Sequence, residues 1–324
     1  MLQLVNLPYD GYTWQQWFGA CPQNLRRWLH AAGCHAVEII YGGDGPVPDF
    51  PQDLVRGYHL MFYTDWLDFW RQDVPALTEK FGSREVWQQF YHARGREELL
   101  RQFDEDLQRA HAAGVDYVVF HVGDVCFAET YTYNWRHTHQ EIIDAAAEMI
   151  NLLLDGRPYQ FDFLMENLPW PGLRFDDARL TERLLSRVNY PHKGLMLDTG
   201  HLMCTETALH DEAEAADYIS RRLDEHGDLC RYIKGVHLHK SLSGEYVRQF
   251  LQQTPPVLPD DVYEQFAVTY QHILQIDRHL PLETDAMAPV LARINPKYLV
   301  HELSSGGVED KLLRVNQQRK AMGL

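Results

Sequence analysis

Short apolar runs recur along the chain and alternate with longer segments in which apolar residues have helical spacing. Runs of this length that end at glycine or polar residues are typical of buried strands. We predict eight strands, at residues 2–6, 36–41, 57–63, 117–122, 161–167, 194–198, 233–239 and 298–303. Glycine and proline residues at 42–46 predict a strong break after the second strand.

Helices are predicted between the strands. Ile142, Ala146 and Met149 fall on one helical face, and Gly156 follows the helix end. Similar spacing predicts helices at about residues 23–32, 99–110, 180–188, 213–223, 262–273, 285–294 and 312–315. Strands that alternate with helices in this way are typical of a (β/α)8 barrel, so we predict an α/β fold with one TIM-barrel domain over residues 1–324. Segments at about 64–96 and 240–260 are predicted insertions, and a doubly wound open sheet is the alternative fold.

Composition and charge restrict the partners that we expect. With 45% hydrophobic residues the chain can build a sizeable core. Its formal net charge of -16 argues against a non-specific hold on phosphate backbones, so we expect no nucleic-acid partner, although a local basic patch is compatible with this charge. The five cysteines are odd in number and show no C-x-x-C spacing, which favours a reduced cytoplasmic protein without a cysteine-based zinc site. No apolar run approaches the length of a membrane span, so we expect no membrane association.

The ends of the predicted strands carry the residues that suggest chemistry. In a (β/α)8 barrel the active site lies at the C-terminal ends of the strands. Side chains that bind divalent cations stand there on strands three to eight: His59, His121, Glu166, Asp198, His201, His237, His239 and Glu302. Strand alternation sends His237 and His239 to one face and separates His301 from Glu302. Because clustered carboxylates repel one another, a divalent cation among them is expected.

Each of these residues also has a purely structural interpretation. A single buried histidine is more often a hydrogen-bonded core residue than a ligand. A carboxylate at the end of an apolar run is harder to explain in this way, since burying it unpaired is costly. Several strands that end in such residues therefore predict a metal site. Glu38 on the second strand faces either inward or towards a helix, and we expect Lys240 to be solvated.

These residues together carry a family resemblance. His121-Val-Gly, Glu166-Asn, Asp198-Thr-Gly-His201 and His237-Leu, with a final Glu302, resemble the xylose isomerase-like TIM-barrel superfamily. The resemblance runs from about the third strand to the eighth, in order. That superfamily includes ketose 3-epimerases, other sugar isomerases and the endonuclease IV family.

The epimerase branch implies one divalent ion (Mn, Zn, Co or Mg) held by Glu166, Asp198, His237 and Glu302. In that branch the two glutamates serve as acid and base, and a proton next to a carbonyl is moved through an enediolate. His201 then contacts a hydroxyl of the small-molecule sugar or sugar phosphate. Trp170 lies between two prolines after Glu166-Asn and is expected to pack against the sugar face.

The endonuclease IV branch implies up to three zinc ions and nine ligands. Candidates stand in the same order here: His59, His121, Glu166, Asp198, His201, His237, Asp277, His279 and Glu302. Asp277-Arg278-His279 resembles the late ligand pair of that branch, but it is equally explained as a polar loop after a helix. The gap from His237 to Asp277 is longer than that branch predicts, and the loops after strands one to three lack evident basic clusters.

A divalent-metal-dependent sugar isomerase or epimerase is therefore the leading functional prediction. The alternative is a multi-zinc phosphoester hydrolase of the endonuclease IV type, an abasic-site endonuclease. A third interpretation is a barrel that binds a sugar without catalysis. Such a binder has no need of a metal flanked by two glutamates, so the predicted ligands argue against it. We expect Trp66, Phe69 and Trp70 in the first insertion to pack between helices or to form a subunit contact in a homo-oligomer. Alternatively, this long insertion forms a lid over the barrel mouth.

Overall fold

A computed structural model describes residues 1–41 and 50–324. The break predicted at 42–46 lies outside these described residues. None of the helices in the described ranges combines the length and apolar character that crossing a bilayer requires.

The strands form a closed parallel barrel. In the described residues the eight strands are β1 (Leu2–Pro8), β2 (Ala36–Ile40), β3 (Val55–His59), β4 (Tyr117–His121), β5 (Asp162–Glu166), β6 (Lys193–Asp198), β7 (Ile233–Leu238) and β8 (Tyr298–His301). Each pairs with its neighbours in chain order, and β1 closes the barrel by pairing with β8. The predicted (β/α)8 barrel is thus confirmed, and the alternative of an open doubly wound sheet is wrong.

The third strand differs most from its prediction at 57–63. It ends at His59. Two residues later the chain leaves the sheet, because the backbone N–H of Met61 donates to Asp106 Oδ2 on a surrounding helix at 2.7 Å. Gly57 on this strand accommodates the ring of Tyr117, since a Cβ added there would lie 2.4 Å from the Tyr117 hydroxyl. The interior beneath the strand ends is therefore filled by large side chains rather than by a channel.

Helices surround the barrel and are present in both predicted insertions. In chain order they are α1 (Gly11–Phe18), α2 (Pro22–Ala32), α3 (Leu67–Arg71), α4 (Val74–Phe81), α5 (Arg84–Phe90), α6 (Arg96–Ala113), α7 (His139–Leu154), α8 (Ala178–Arg187), α9 (Thr199–Cys204), α10 (Glu212–His226), α11 (Gly244–Leu251), α12 (Val262–Ile276), α13 (Ala288–Ile294) and α14 (Val308–Met322). Helices α3 to α5 lie in the first segment and α11 in the second.

The segment that contains α3 to α5 packs against the barrel through buried aromatic side chains. Its aromatic residues Trp66, Phe69 and Trp70 belong to the buried core, as expected for helix packing. Asp124, just after β4, accepts backbone N–H groups of Trp66 and Leu67 at 2.7 and 2.8 Å. These hydrogen bonds tie the start of α3 to the C-terminal end of the barrel.

Helix α12 has well-defined ends, and one of them lies at the strand ends. Asp261 caps its N-terminus by accepting the N–H groups of Tyr263 and Glu264 at 2.9 and 3.0 Å, which satisfies two otherwise unpaired donors. The helix stops at Ile276, and Asp277 follows in an extended conformation. The helix therefore delivers Asp277 to the C-terminal face of the barrel.

Candidate metal centre

The register of the barrel aligns the predicted ligands at one level. His121 is the register partner of Glu166, and Asp198 is the register partner of His237. Glu302 directly follows β8. Since parallel strands end at the same rim, these side chains converge on the C-terminal mouth. Within the described residues they form four groups whose donor atoms lie close enough together to hold a metal ion.

The first group consists of His59, His121 and Glu166. The two Nε2 atoms of the histidines lie 3.0 Å apart, and each lies 3.3 Å from Oε2 of Glu166. This carboxylate oxygen is buried and forms no hydrogen bond with the described residues. Two imidazole nitrogens and a carboxylate oxygen aimed at one another are the donor set of a zinc-like cation.

The second group consists of Glu166, Asp198, His237 and Glu302, the four residues predicted to hold one metal. Nδ1 of His237 lies 2.8 Å from Glu302 Oε2, 3.2 Å from Glu166 Oε1 and 3.8 Å from Asp198 Oδ2. Glu166 thus faces the first group with one carboxylate oxygen and the second group with the other.

The third group consists of His201, Asp277 and His279. Oδ2 of Asp277 lies 3.1 Å from Nε2 of His201 and 3.2 Å from Nδ1 of His279. The long gap before Asp277 contains α11 and α12, and it does not move the triplet away from the site. Ser241 holds the loop in place, because its hydroxyl donates to Asp277 Oδ1 at 3.0 Å and accepts the N–H of Arg278 at 2.8 Å.

His239 extends this constellation beyond the nine predicted ligands. Its Nε2 lies 2.8 Å from Asp198 Oδ2, and its ring stacks on that of His279 with centroids 4.1 Å apart. Together with His279 and Glu302 it forms a fourth group whose donor atoms could hold a cation. The sequence placed His239 on the ligand-bearing face, and the side chain does point there.

Hydrogen bonds to backbone carbonyls orient two of the histidines. Nδ1 of His59 lies 2.9 Å from the carbonyl of Leu60, and Nδ1 of His201 lies 2.9 Å from the carbonyl of Asn167. Since a carbonyl only accepts, each Nδ1 is the donor and each Nε2 faces the carboxylates. Metal-binding histidines have this arrangement, with the far nitrogen donating to a fixed acceptor.

Glu38 performs the same task for His237. One of its carboxylate oxygens lies 3.0 Å from Nε2 of His237, and the other accepts the hydroxyl of Tyr117 at 2.8 Å. Its side chain points into the barrel and is buried, which decides between the two orientations left open by the sequence. A lone carboxylate within the apolar run Ala-Val-Glu-Ile-Ile was the signal that could have identified it.

Replacing Glu38 by glutamine is expected to weaken metal binding by about 10–100-fold, because the far nitrogen of His237 loses its charged acceptor. Competition titration with a chromophoric chelator measures this affinity. Glu182→Gln, an exposed glutamate on α8, is the matched control. Equal affinities in the Glu38→Gln variant and the control would contradict a positioning role for Glu38.

The electrostatics of the centre favour ionised carboxylates. Burial opposes the ionisation of Glu166, but the charges of His237 and His121 outweigh it and hold the pKa of this carboxyl well below its usual range. Burial also lowers the pKa of His237, yet Glu302, Glu38 and Glu166 raise that pKa well above its usual value. The carboxylates therefore attract positive charge, either protons on the imidazoles or a cation.

A cavity of about 270 Å³ lies above the centre. We call its polar side the floor, formed by His59, His121, His201, Asp277, His279 and Glu302. We call its apolar side the roof, formed by Phe62, Phe127, Leu168, Trp170, Phe266, Tyr270, Ile273 and Leu274. Ile40, Tyr63, Thr64 and Thr269 complete the lining. Trp170 thus lies where a substrate contact was predicted, whereas the other roof residues were not recognised as part of the site.

Two further expectations concern residues outside the cavity. Lys240 was expected to be solvated, and this is wrong: its Nζ pairs with Glu212 at 2.7 Å and with Glu283 at 2.9 Å. His301 points away from Glu302, and its Nδ1 contacts the side chain of Gln318 at 2.9 Å. Alternation along β8 therefore separates the two residues as predicted.

Known proteins with this arrangement of strands are found at low sequence identity. No curated protein sequence matches the chain. Endonuclease IV from Thermus thermophilus superposes with a TM-score of 0.54 at 15% identity, over 100% of this chain and 99% of that one. An L-ribulose 3-epimerase gives a TM-score of 0.52 at 13% identity, over 98% and 93%. A putative xylose isomerase from Rhodospirillum rubrum gives 0.52 at 16% identity, over 100% and 98%. These likenesses show the shared fold.

The sequence also matches a family profile over most of its length. The profile of the xylose isomerase-like TIM barrel covers residues 26–311, which include β2 to β8 and all the ligand-type side chains described above. The chain belongs to the xylose isomerase-like TIM barrel family.

Proposed function

We propose that the protein is a multinuclear metal-dependent hydrolase that cleaves a phosphoester bond in a small molecule. The observation that carries this proposal is the third group, in which Asp277 and His279 join His201 beside the other ligands. A single-metal isomerase needs four ligands and uses His201 as a substrate contact, but it leaves Asp277, His279 and the His59–His121 pair without a chemical role. The geometry therefore favours the multi-metal phosphoester chemistry of the second functional prediction over the leading one, and we propose a small-molecule substrate in place of abasic DNA.

The donor set fits several divalent cations of the zinc type. The nine predicted ligands comprise five histidines and four carboxylates. Imidazole-rich sites suit zinc, cobalt or iron better than magnesium, which prefers oxygen ligands. Three divalent cations together with four carboxylates give a net charge of +2. A fully loaded centre would therefore attract an anionic substrate. This attraction does not require basic side chains, and no lysine or arginine is among the described residues that line the cavity.

Divalent cations at these positions would supply Lewis-acid polarisation of a phosphoryl oxygen and make water a stronger nucleophile at neutral pH. The chain itself contributes orientation and exclusion of bulk water. Asn167 clamps the backbone of Asp198, accepting its N–H at 2.8 Å and donating to its carbonyl at 3.0 Å. The roof shields the floor, which strengthens electrostatic interactions within the cavity.

The test combines metal analysis with a hydrolysis assay. We expect two or three equivalents of a zinc-like metal per chain, and hydrolysis of generic phosphomonoesters or phosphodiesters that is lost on chelation and restored by metal. One equivalent of metal, together with exchange of solvent deuterium into a ketose, would overturn the hydrolase proposal.

A metal-dependent sugar isomerase or epimerase is the second candidate. It is supported by the second group, because Glu166, Asp198, His237 and Glu302 suffice for one metal and place two glutamates beside it. The exchange measurement above tests it directly. Retention of full exchange in both Glu166→Gln and Glu302→Gln would contradict an acid/base role for these glutamates.

A further inference from the structure

The cavity above the candidate metal centre has two chemically different sides. The floor carries only imidazoles and carboxylates, whereas the roof is almost wholly aromatic and aliphatic. A bound molecule must therefore place a charged, metal-binding group on the floor and a different kind of group against the roof. The composition of the roof identifies that second group.

Polar partners are scarce on the roof side. Lysine, arginine, asparagine, glutamine and serine are all absent from the described residues that line the cavity. Outside the floor, the neutral polar side-chain groups on the described lining are the hydroxyls of Tyr63, Thr64, Thr269 and Tyr270 and the indole N–H of Trp170. A polyhydroxylated sugar chain placed there would lose hydrogen bonds to water without regaining most of them, which is costly.

Aromatic side chains around the mouth are more exposed than packing alone explains. Phe62, Phe266 and Tyr270 have exposed fractions of 42%, 46% and 48%. Phe266 and Tyr270 stack with ring centroids 5.8 Å apart, and Phe127 meets Phe266 edge-on at 6.1 Å. These rings already form an ordered surface to which a further planar or branched apolar group can add with little loss of side-chain freedom.

The size of the cavity limits the ligand. A volume of about 270 Å³ lies just below the range of about 300–1,000 Å³ that is typical of sites for drug-sized molecules. The anionic group that binds to the floor occupies part of this volume. A compact ring or short branched chain fits the remainder, whereas an intact nucleic-acid duplex does not.

We infer that the ligand of this site is a compact aryl or branched alkyl phosphoester, with its phosphoryl group on the floor and its apolar group against the roof. The inference rests on the proposed phosphoester hydrolase, and it adds the substrate class. Phe266 and Tyr270 on α12 determine this specificity through direct contact with the apolar group.

Binding of non-hydrolysable phosphonates to the metal-loaded protein tests the inference separately from catalysis. Phenylphosphonate is compared by calorimetry with 2,3-dihydroxypropylphosphonate, which has a similar size but two hydroxyls. We expect phenylphosphonate to bind at least tenfold more tightly. In Phe266→Ala the preference should fall below threefold, whereas Tyr263→Ala, on the same helix but outside the cavity lining, should retain it.

The outcomes separate the two proposals. Equal affinity of the wild-type protein for both phosphonates overturns the inferred substrate class, whether or not phosphoesters are hydrolysed. An unchanged preference in Phe266→Ala overturns the role of the roof. A strong phenyl preference without hydrolysis of phenyl phosphate, at full metal content, leaves the inferred ligand class standing and overturns the hydrolase proposal.

Discussion

Replacing Glu166 by glutamine should remove metal from two neighbouring groups at once and reduce kcat/KM for phosphoester hydrolysis by about 10³-fold. The reason is that one carboxylate oxygen of Glu166 faces His59 and His121, while the other faces His237. Lewis-acid stabilisation contributes several kcal/mol, and about 4 kcal/mol corresponds to this factor. Elemental analysis and steady-state kinetics on the same preparation measure both effects.

Glu182→Gln is again the control, because it makes the same chemical change at an exposed position of α8. Thermal unfolding of both variants, compared in the presence of a chelator, separates a loss of metal from a loss of fold. If Glu166→Gln retained its full metal content and activity, the shared-ligand role of this carboxylate would be wrong.

Replacing Asp277 by asparagine should lower the metal content by one equivalent and reduce hydrolysis by about 10²-fold. The carboxylate oxygen that faces His201 and His279 would lose its charge, while the four ligands of the second group would remain. The same variant distinguishes the two candidate functions, since an isomerase with one metal on the second group would retain its metal. Metal stoichiometry by elemental analysis is the deciding measurement.

Asp260→Asn provides the matched change at an exposed position directly before the N-cap of the same helix. It should leave both metal content and hydrolysis unchanged. An Asp277→Asn protein that still bound the wild-type number of metal ions would show that the third group is a hydrogen-bonded loop, the structural interpretation that the sequence alone could not exclude.

Much of the barrel could be predicted from the sequence, because buried parallel strands leave a simple pattern. Apolar runs such as 194–198 end abruptly at polar residues, and the fold places all such ends at one rim. Asp198 and His237 could therefore be assigned to a common site before their register was known. The order of the strands alone sufficed for this part of the site.

Other parts depend on packing that no local pattern reveals. Asp277 could not be assigned from the sequence, since the length of chain before it does not show that α12 returns to the rim. Glu38 faces inward because of the register of β2 against its neighbours. Phe266 and Tyr270 follow ordinary helical spacing, and only the tertiary position of α12 makes them part of a binding surface.

The position of α12 also limits how the specificity of this site can be redesigned. One continuous helix carries Phe266 and Tyr270 above the cavity and ends directly before Asp277. Each residue of an α-helix advances the side-chain direction by about 100°, so inserting or deleting one residue between Tyr270 and Asp277 would turn the aromatic surface out of register with the carboxylate. New specificities can therefore be engineered by exchanging side chains at fixed helix length, whereas an insertion or deletion that changes this length would displace Asp277 from the third group.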